Sequence, residues 1–198
     1  MNRGAVLVAL GIGALALGLW PKKKKPHRIT GPRRVAALGD SMTVGGAYLR
    51  RVVKGLAPGS AARAFGFGGQ GAEFIDREGV PKVIAWNPTD VIVLAGVNDM
   101  ASGRTARATF GHLAQIYRRL SDRGIRVIAL NVLPWQRYRK ATLMNQRETK
   151  RLNRLILAQP GPSKVAVFRM LPEHYKDGLH LSPAGNKYLG DEIRRQAF

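Results

Sequence analysis

The chain has 198 residues and no cysteine, and its 33 Lys and Arg against 12 Asp and Glu give a formal net charge of +21. This length fits one domain better than two, and a hydrophobic content of 45% is enough for a core, so a wholly disordered protein is excluded. Without cysteine the chain has no disulfide, no thiolate metal site and no cysteine nucleophile.

Residues 1–20 are predicted to form a membrane anchor or a signal segment, because residues 5–20 are an unbroken run of Ala, Val, Leu, Ile, Gly and Trp. Sixteen helical residues span roughly 24 Å, slightly less than the hydrocarbon core of a bilayer. A cleaved signal peptide, with a weak cleavage site at residues 14–16, is the alternative to the uncleaved anchor that we favour. We therefore expect the protein to be membrane-associated or in the cell envelope.

Residues 21–33 are predicted to be a basic, proline-containing linker. The lysines at 22–25 favour a cytoplasmic domain by the positive-inside rule, although the sequence leaves the side of the membrane open. Residues 1–34 contain eight basic side chains and no acidic one, so residues 35–198 still have a net charge of +13. Such a domain should attract anionic polymers or surfaces.

After the linker, short apolar runs alternate with amphipathic segments. Strands are predicted at residues 35–38, 61–65, 91–94, 127–130 and 165–168. Helices are predicted at about residues 48–56, 110–120 and 142–157, and from residue 183 to the end. This alternation predicts βαβ units, and therefore one α/β domain with a parallel sheet over residues 34–198.

Polar residues next to glycine follow three of these strands, where ligands of a parallel sheet usually bind. They are Asp40-Ser41, Gly68-Gly69 and Asn98-Asp99, and a fourth cluster at residues 177–180 precedes the last helix. Each cluster alone is also ordinary turn or helix-cap chemistry. Their occurrence together, in order and at strand ends, favours a catalytic site.

The residue types in these clusters are those that acyl transfer requires. Ser41 is the candidate nucleophile, His180 the base that would take its proton, and Asp177 the carboxylate that would orient the imidazole. The backbone N–H groups of Ser41 and Gly69 and the side-chain amide of Asn98 are candidate donors to the negative oxygen of a tetrahedral intermediate.

Gly39-Asp40-Ser41-Met42-Thr43, Gly69, Gly96-Val97-Asn98-Asp99 and Asp177-Gly178-Leu179-His180-Leu181-Ser182 resemble the four sequence blocks of SGNH hydrolases, or GDSL-type esterases and lipases. The resemblance implies a flavodoxin-like three-layer α/β/α sandwich with a five-stranded parallel sheet. It also implies a Ser41–His180–Asp177 triad, an oxyanion hole of Ser41, Gly69 and Asn98, and no metal or other cofactor. Asp40 and Asp99 would be supporting, loop-organising residues.

The second block departs from the family pattern. Ala64 occupies the place of the usual Asn, and Gly68 precedes Gly69 where Ser is common. Gly68 or Gly71 could therefore take the role of Gly69. A segment at residues 147–156, which includes Asn153, also resembles the family's helix before its last strand.

The resemblance implies an ester substrate, and we expect an acetylated envelope carbohydrate or a short acyl lipid ester. Four aromatic residues are candidates for stacking on a sugar: Phe67, Phe74, Trp86 and Trp135. The alternative is a non-catalytic binding module that holds an anionic polymer or nucleic acid on its basic surface. A specific nucleic-acid partner is not expected, because no recognition helix or aromatic-and-basic strand motif is found.

Overall fold

The computed structural model describes residues 31–135, 138 and 140–198, so the predicted anchor and most of the predicted linker lie outside the described residues. Five parallel strands form one sheet in the order β2-β1-β3-β4-β5. The strands are β1 (Arg34–Gly39), β2 (Ala61–Gly66), β3 (Asp90–Leu94), β4 (Arg126–Leu130) and β5 (Ser163–Val165). This is the flavodoxin-like order, which confirms the predicted α/β fold class.

Seven helices are described: α1 (Ala47–Lys54), α2 (Ala72–Phe74), α3 (Val80–Trp86), α4 (Val97–Ala101), α5 (Ala106–Ser121), α6 (Leu143–Ala158) and α7 (Pro183–Ala197). Helices α1 and α7 pack against each other on one face of the sheet, while α5 packs against α2, α3 and α6 on the other face. Residues of β1, β3 and β4 are almost all apolar and buried, as expected for strands covered on both faces. Within the described ranges, no helix combines the length and apolarity needed to cross a bilayer.

The three long helices after β3 begin at side-chain caps. Thr105 Oγ1 accepts from the N–H of Ala108, Thr142 Oγ1 from that of Asn145, and Ser182 Oγ from that of Gly185. Each cap satisfies an N–H that has no partner inside the helix, so the start of the helix is fixed by the residue before it. The predicted helix starts near residues 142 and 183 agree with these caps.

Two helical segments were not predicted. Residues 72–86 form α2, a π-helical turn at Ile75–Gly79 and α3, in one continuous stretch between β2 and β3. Pro81 in this stretch reads as a helix breaker, but it lies in the first turn of α3, where its missing N–H costs nothing. Asn98 and Asp99, for which turn or helix-cap chemistry was the alternative to a catalytic role, lie in the second segment, the short helix α4.

The prediction of a last strand at residues 165–168 was wrong in its position, because β5 covers Ser163–Val165. Beyond Val165, the backbone N–H groups donate to side chains and not to the backbone of a neighbouring strand. The N–H of Ala166 donates to Gln196 Oε1 at 3.0 Å, and that of Val167 donates to Asn131 Oδ1 at 2.6 Å. The apolar run therefore leaves the sheet, and Phe168 is exposed.

Candidate active site

Ser41 lies at the carboxyl end of β1, in a tight turn that Gly39 and Asp40 shape. A side chain at position 39 would collide with the backbone oxygen of Leu94 on β3, so only glycine allows the two strands to come this close. Asp40 closes the turn from inside, since its Oδ1 accepts from the N–H of Met42 and its carbonyl from the N–H of Thr43, both at 3.0 Å. The turn leaves Ser41 half-buried at the edge of the sheet.

His180 and Asp177 reach Ser41 from the loop between β5 and α7. Ser41 Oγ is 3.0 Å from His180 Nε2, and His180 Nδ1 is 2.7 Å from Asp177 Oδ2. The second oxygen of Asp177 accepts from the backbone N–H groups of Leu179 and His180, at 3.0 and 2.8 Å. Gly178 turns the chain with a φ of 83°, which a residue with a side chain rarely adopts.

The charge of Asp177 fixes the proton arrangement of this chain of hydrogen bonds. Burial opposes its ionisation, but the hydrogen bonds from the His180 side chain and from two backbone N–H groups outweigh it and lower the pKa of Asp177 to about 2. An ionised carboxylate can only accept, so the Nδ1 of His180 must donate to it. In the neutral imidazole, Nε2 is then a free lone pair facing the hydroxyl of Ser41.

The three donors predicted for an oxyanion hole are the backbone N–H groups of Ser41 and Gly69 and the side-chain amide of Asn98. Asn98 Nδ2 donates to the carbonyl of Gln70 at 3.0 Å, which orients the amide and leaves its second N–H for a ligand. Within the described residues, no acceptor is found for the N–H of Ser41 or of Gly69. Gly69 has a φ of 71°, and a Cβ added there would meet no atom within 4 Å.

The predicted donors Gly69 and Asn98 both line a polar cavity of about 340 Å³. Its wall also includes Gly71, so Gly71 stays a possible donor beside Gly69. Arg104 lies at this cavity and forms an exposed ion pair with Glu73 at 3.2 Å. Sequence reasoning missed Gln70, Glu73 and Arg104; the glycine-rich run at residues 66–71 was the one signal that pointed to this wall.

Asp40 and Asp99 are buried beneath the site. Asp99 Oδ2 accepts from the N–H of Ala72 at 2.8 Å and ties α4 to α2, and its Oδ1 would lie 2.8 Å from a Cβ at Gly71. One oxygen of each carboxyl group, Asp40 Oδ2 and Asp99 Oδ1, has no hydrogen-bond partner among the described residues. Burial is the main cause that raises the pKa of both groups, to about 7 for Asp40.

The aromatic residues predicted to stack on a sugar do not share one location. Trp135 is in the core, 1% exposed, with its Nε1 donating to Thr149 Oγ1 at 3.1 Å, so stacking on a sugar is excluded for it. Trp86 lies under the guanidinium of Arg34, at the opposite edge of the sheet from Ser41. Phe74 does line the cavity, and Phe67 packs edge-to-face against it at 5.7 Å.

The family model of the GDSL-like lipase/acylhydrolase family matches residues 37–188 of the chain. The chain belongs to this family. The acylhydrolase is thus an SGNH esterase, which confirms the resemblance and the prediction of an ester-hydrolysing enzyme. The comparison with curated proteins yields no match. Within the described part of the acylhydrolase, no cluster of three or more His, Asp or Glu could hold a metal ion.

Solved structures of esterases share the fold of the acylhydrolase. A GDSL-like lipase from Bacteroides thetaiotaomicron is 26% identical, with a TM-score of 0.64 over 82% of this chain and 84% of that one. The acetyl xylan esterase AlAXEase is 16% identical, with a TM-score of 0.69 over 83% and 100%. Esterase EstA from a Pseudoalteromonas species is 13% identical, with a TM-score of 0.64 over 82% and 95%. The last two similarities concern the fold alone.

Proposed function

We propose that this esterase removes short acyl groups, above all acetyl, from an envelope carbohydrate, with Ser41 as nucleophile, His180 as base and Asp177 as its orienting carboxylate. The observation that carries the catalytic assignment is the continuous chain Ser41 Oγ–His180 Nε2 at 3.0 Å and His180 Nδ1–Asp177 Oδ2 at 2.7 Å. A binding module has no need of a serine, a histidine and an ionised carboxylate aligned in this way.

The reaction follows from these contacts. Ser41 Oγ attacks the acyl carbon while His180 Nε2 takes its proton, and the ionised Asp177 stabilises the imidazolium. The carbonyl oxygen becomes negative and binds the N–H groups of Ser41, Gly69 and Asn98, or of Gly71 in place of Gly69. His180 then gives the proton to the leaving alcohol, and water, activated by the same histidine, hydrolyses the acyl-serine.

The cavity beside the proposed oxyanion hole supports a short acyl group. The cavity has a volume of about 340 Å³ and is lined by Gly69, Asn98, Arg104 and other mostly polar residues. A long acyl chain gains its binding energy from burial against apolar walls, at roughly 0.8 kcal/mol per CH₂ group, and this wall offers little of that. Acetyl esters need no such wall.

The proposed carbohydrate substrate rests on the charge of the domain and on its position. Residues 35–198 have a net charge of +13, which favours encounter with an anionic polymer. The apolar run at residues 5–20 supports a place at the membrane or in the cell envelope, where acetylated polymers occur. A short acyl lipid ester is the second candidate substrate, and the same apolar run favours it.

The test is hydrolysis of p-nitrophenyl acetate, butyrate and octanoate by the full chain, with Ser41→Ala as the inactive variant and Ser121→Ala, at the end of α5, as the matched control. We expect rates to fall from acetate to octanoate and to disappear in Ser41→Ala alone. Acetate release from acetylated peptidoglycan and from acetyl-lipid vesicles then separates the two substrates. A folded protein inactive on every ester would overturn the esterase and favour the non-catalytic binder.

A further inference from the structure

Large apolar side chains are exposed at the edge of the sheet where Ser41 lies. In the part of the chain that the structure describes, five of them are 55–81% exposed: Val44, Leu143, Met144, Phe168 and Leu171. One follows β1, two begin α6 after β4, and two follow β5. All five therefore lie near the carboxyl ends of the strands, and we call them the apolar rim.

The opposite edge of the sheet differs from this one. The two other large apolar residues that are exposed among the described ones, Leu155 and Phe198, are each 37% exposed. Leu155 lies in the last turn of α6. The ring of Phe198 lies against the guanidinium groups of Arg33 and Arg126, at 5.3 and 4.8 Å. Single apolar side chains on a surface need no explanation, but their concentration at one edge indicates a contact surface.

The apolar rim adjoins the proposed active site from two sides. Val44 comes three residues after the candidate nucleophile. On the other side, Tyr175 Oη donates to the carbonyl of Pro134, which joins the loop after β5 to the loop before α6. Tyr175 also forms an antiparallel bridge with Leu181, the residue after His180. A surface that contacts the rim would therefore lie over the catalytic crevice.

Exposed cations accompany the apolar rim. Within residues 31–135, 138 and 140–198, no ion pair is found for five of them: Arg50, Lys140, Arg147, Arg169 and Lys176. Arg147 lies one turn after Leu143 in α6. Arg169 directly follows Phe168. The loop after β5 also has two exposed acids, Glu173 and Asp177, so five positive charges stand against two negative ones around the rim.

We propose that the apolar rim docks onto a lipid surface with anionic headgroups, with its cations at the phosphate groups and its apolar side chains at the acyl boundary. Surfaces that bind membranes combine these two types of side chain. The core of a protein interface is instead depleted in charged residues. The inference goes beyond the proposed function and does not require it. Docking would bring the second candidate substrate, a short acyl lipid ester, close to Ser41.

The predicted anchor is compatible with this docking. Residues 21–33 are the predicted linker, and thirteen extended residues reach at most about 45 Å. A globular domain the size of residues 34–198 has a radius of gyration of about 15 Å. The linker is therefore long enough to let the catalytic edge of the sheet face the membrane that would hold residues 1–20.

The test places an environment-sensitive fluorophore on the apolar rim. Because the chain has no cysteine, Phe168→Cys and Leu143→Cys in the full chain each provide one labelling site, and Leu155→Cys is the matched control at the opposite edge. Each labelled chain is mixed with vesicles of phosphatidylcholine alone, or of equal parts of phosphatidylcholine and phosphatidylglycerol. We expect emission at positions 168 and 143 to rise and move to shorter wavelength on the mixed vesicles only, with no change at position 155.

Charge variants of the labelled Leu143→Cys chain measure the contribution of the cations. Arg147→Gln/Arg169→Gln should lower the ratio of docked to undocked protein by about fivefold for each charge removed, because each Lys or Arg near an anionic surface contributes about that factor. Arg118→Gln/Arg123→Gln removes two exposed charges near the end of α5, at the opposite edge of the sheet, and should leave the ratio unchanged.

Four results would overturn the docking surface. They are no change at positions 168 and 143, an equal response at position 155, equal losses in both double variants, and a change that follows protein concentration without vesicles. The third result would show attraction by the overall charge, and the fourth would assign the rim to a second copy of the chain. The labels report docking without hydrolysis, so a chain that docks but hydrolyses no ester would contradict the proposed function alone.

Discussion

Replacing Asp40 by Asn should change how the stability of the protein depends on pH. Asp40 is fully buried next to Ser41, one of its oxygens has no partner, and burial raises its pKa from 3.8 to about 7. In the unfolded chain the group loses its proton near pH 4, whereas in the folded protein it keeps the proton to about pH 7. The folded state therefore loses stability relative to the unfolded state as pH rises through this window.

The size of the effect follows from the shift in pKa. A difference of about three pKa units corresponds to about 4 kcal/mol of unfolding free energy, lost between about pH 4 and pH 7 and constant above that. Asp40→Asn has no proton to lose, and its Oδ1 can still accept from the N–H of Met42. Its amide N–H₂ takes the place of the unpartnered oxygen, which adds a cost of about 1–3 kcal/mol that does not depend on pH.

The assay is urea unfolding of the full chain and of Asp40→Asn at several pH values from 4 to 8. The unfolding free energy of Asp40→Asn minus that of the wild-type protein should increase by about 4 kcal/mol across this range, whatever its value at pH 4. Asp122→Asn, an exposed residue after α5, measures the effect of deleting one negative charge from a basic domain. Parallel curves for wild-type protein and Asp40→Asn would refute the assignment of the raised pKa to Asp40.

Two further variants test the oxyanion hole and the end of β5. Asn98→Ala should lower kcat on p-nitrophenyl acetate by about 100–1000-fold with little change in KM, because the Asn98 amide binds the carbonyl oxygen of the ester only when that oxygen becomes negative. A loss confined to KM would contradict this role. Asn131→Ala should lower the unfolding free energy, measured by urea unfolding, by about 3 kcal/mol. The buried Asn131 side chain donates to the carbonyls of Val132 and Val167 and accepts from the N–H of Val167, so the variant loses three hydrogen bonds. A change below about 1 kcal/mol would contradict that reasoning.

The sequence predicted those parts of the molecule that depend on local patterns. Short runs of residue types indicate four of the five strands and the polar clusters at the strand ends. They also indicate the long helices, including those that begin at the Thr142 and Ser182 caps. The approach of His180 to Ser41, over a separation of 139 residues, followed from the βα topology together with the family resemblance. The catalytic roles of these residues are still predictions.

The features that the sequence did not predict depend on contacts between distant residues. Gly79 and Pro81 interrupt the helical sequence pattern of residues 72–86, but in the folded protein Gly79 ends a π-helical turn and Pro81 lies in the first turn of α3. The strand predicted at 165–168 ends early because Asn131 and Gln196 bind its backbone from other parts of the chain. The burial of Trp135 likewise depends on α6, through Thr149.

The direction of β1 has a consequence for where the enzyme can work. This strand begins at Arg34 at one edge of the sheet and ends beside Ser41 at the other, so whatever precedes Arg34 enters the domain on the side away from the catalytic crevice. On the proposal that residues 1–20 lie in a membrane, the described domain is attached at the end of β1 that lies away from Ser41.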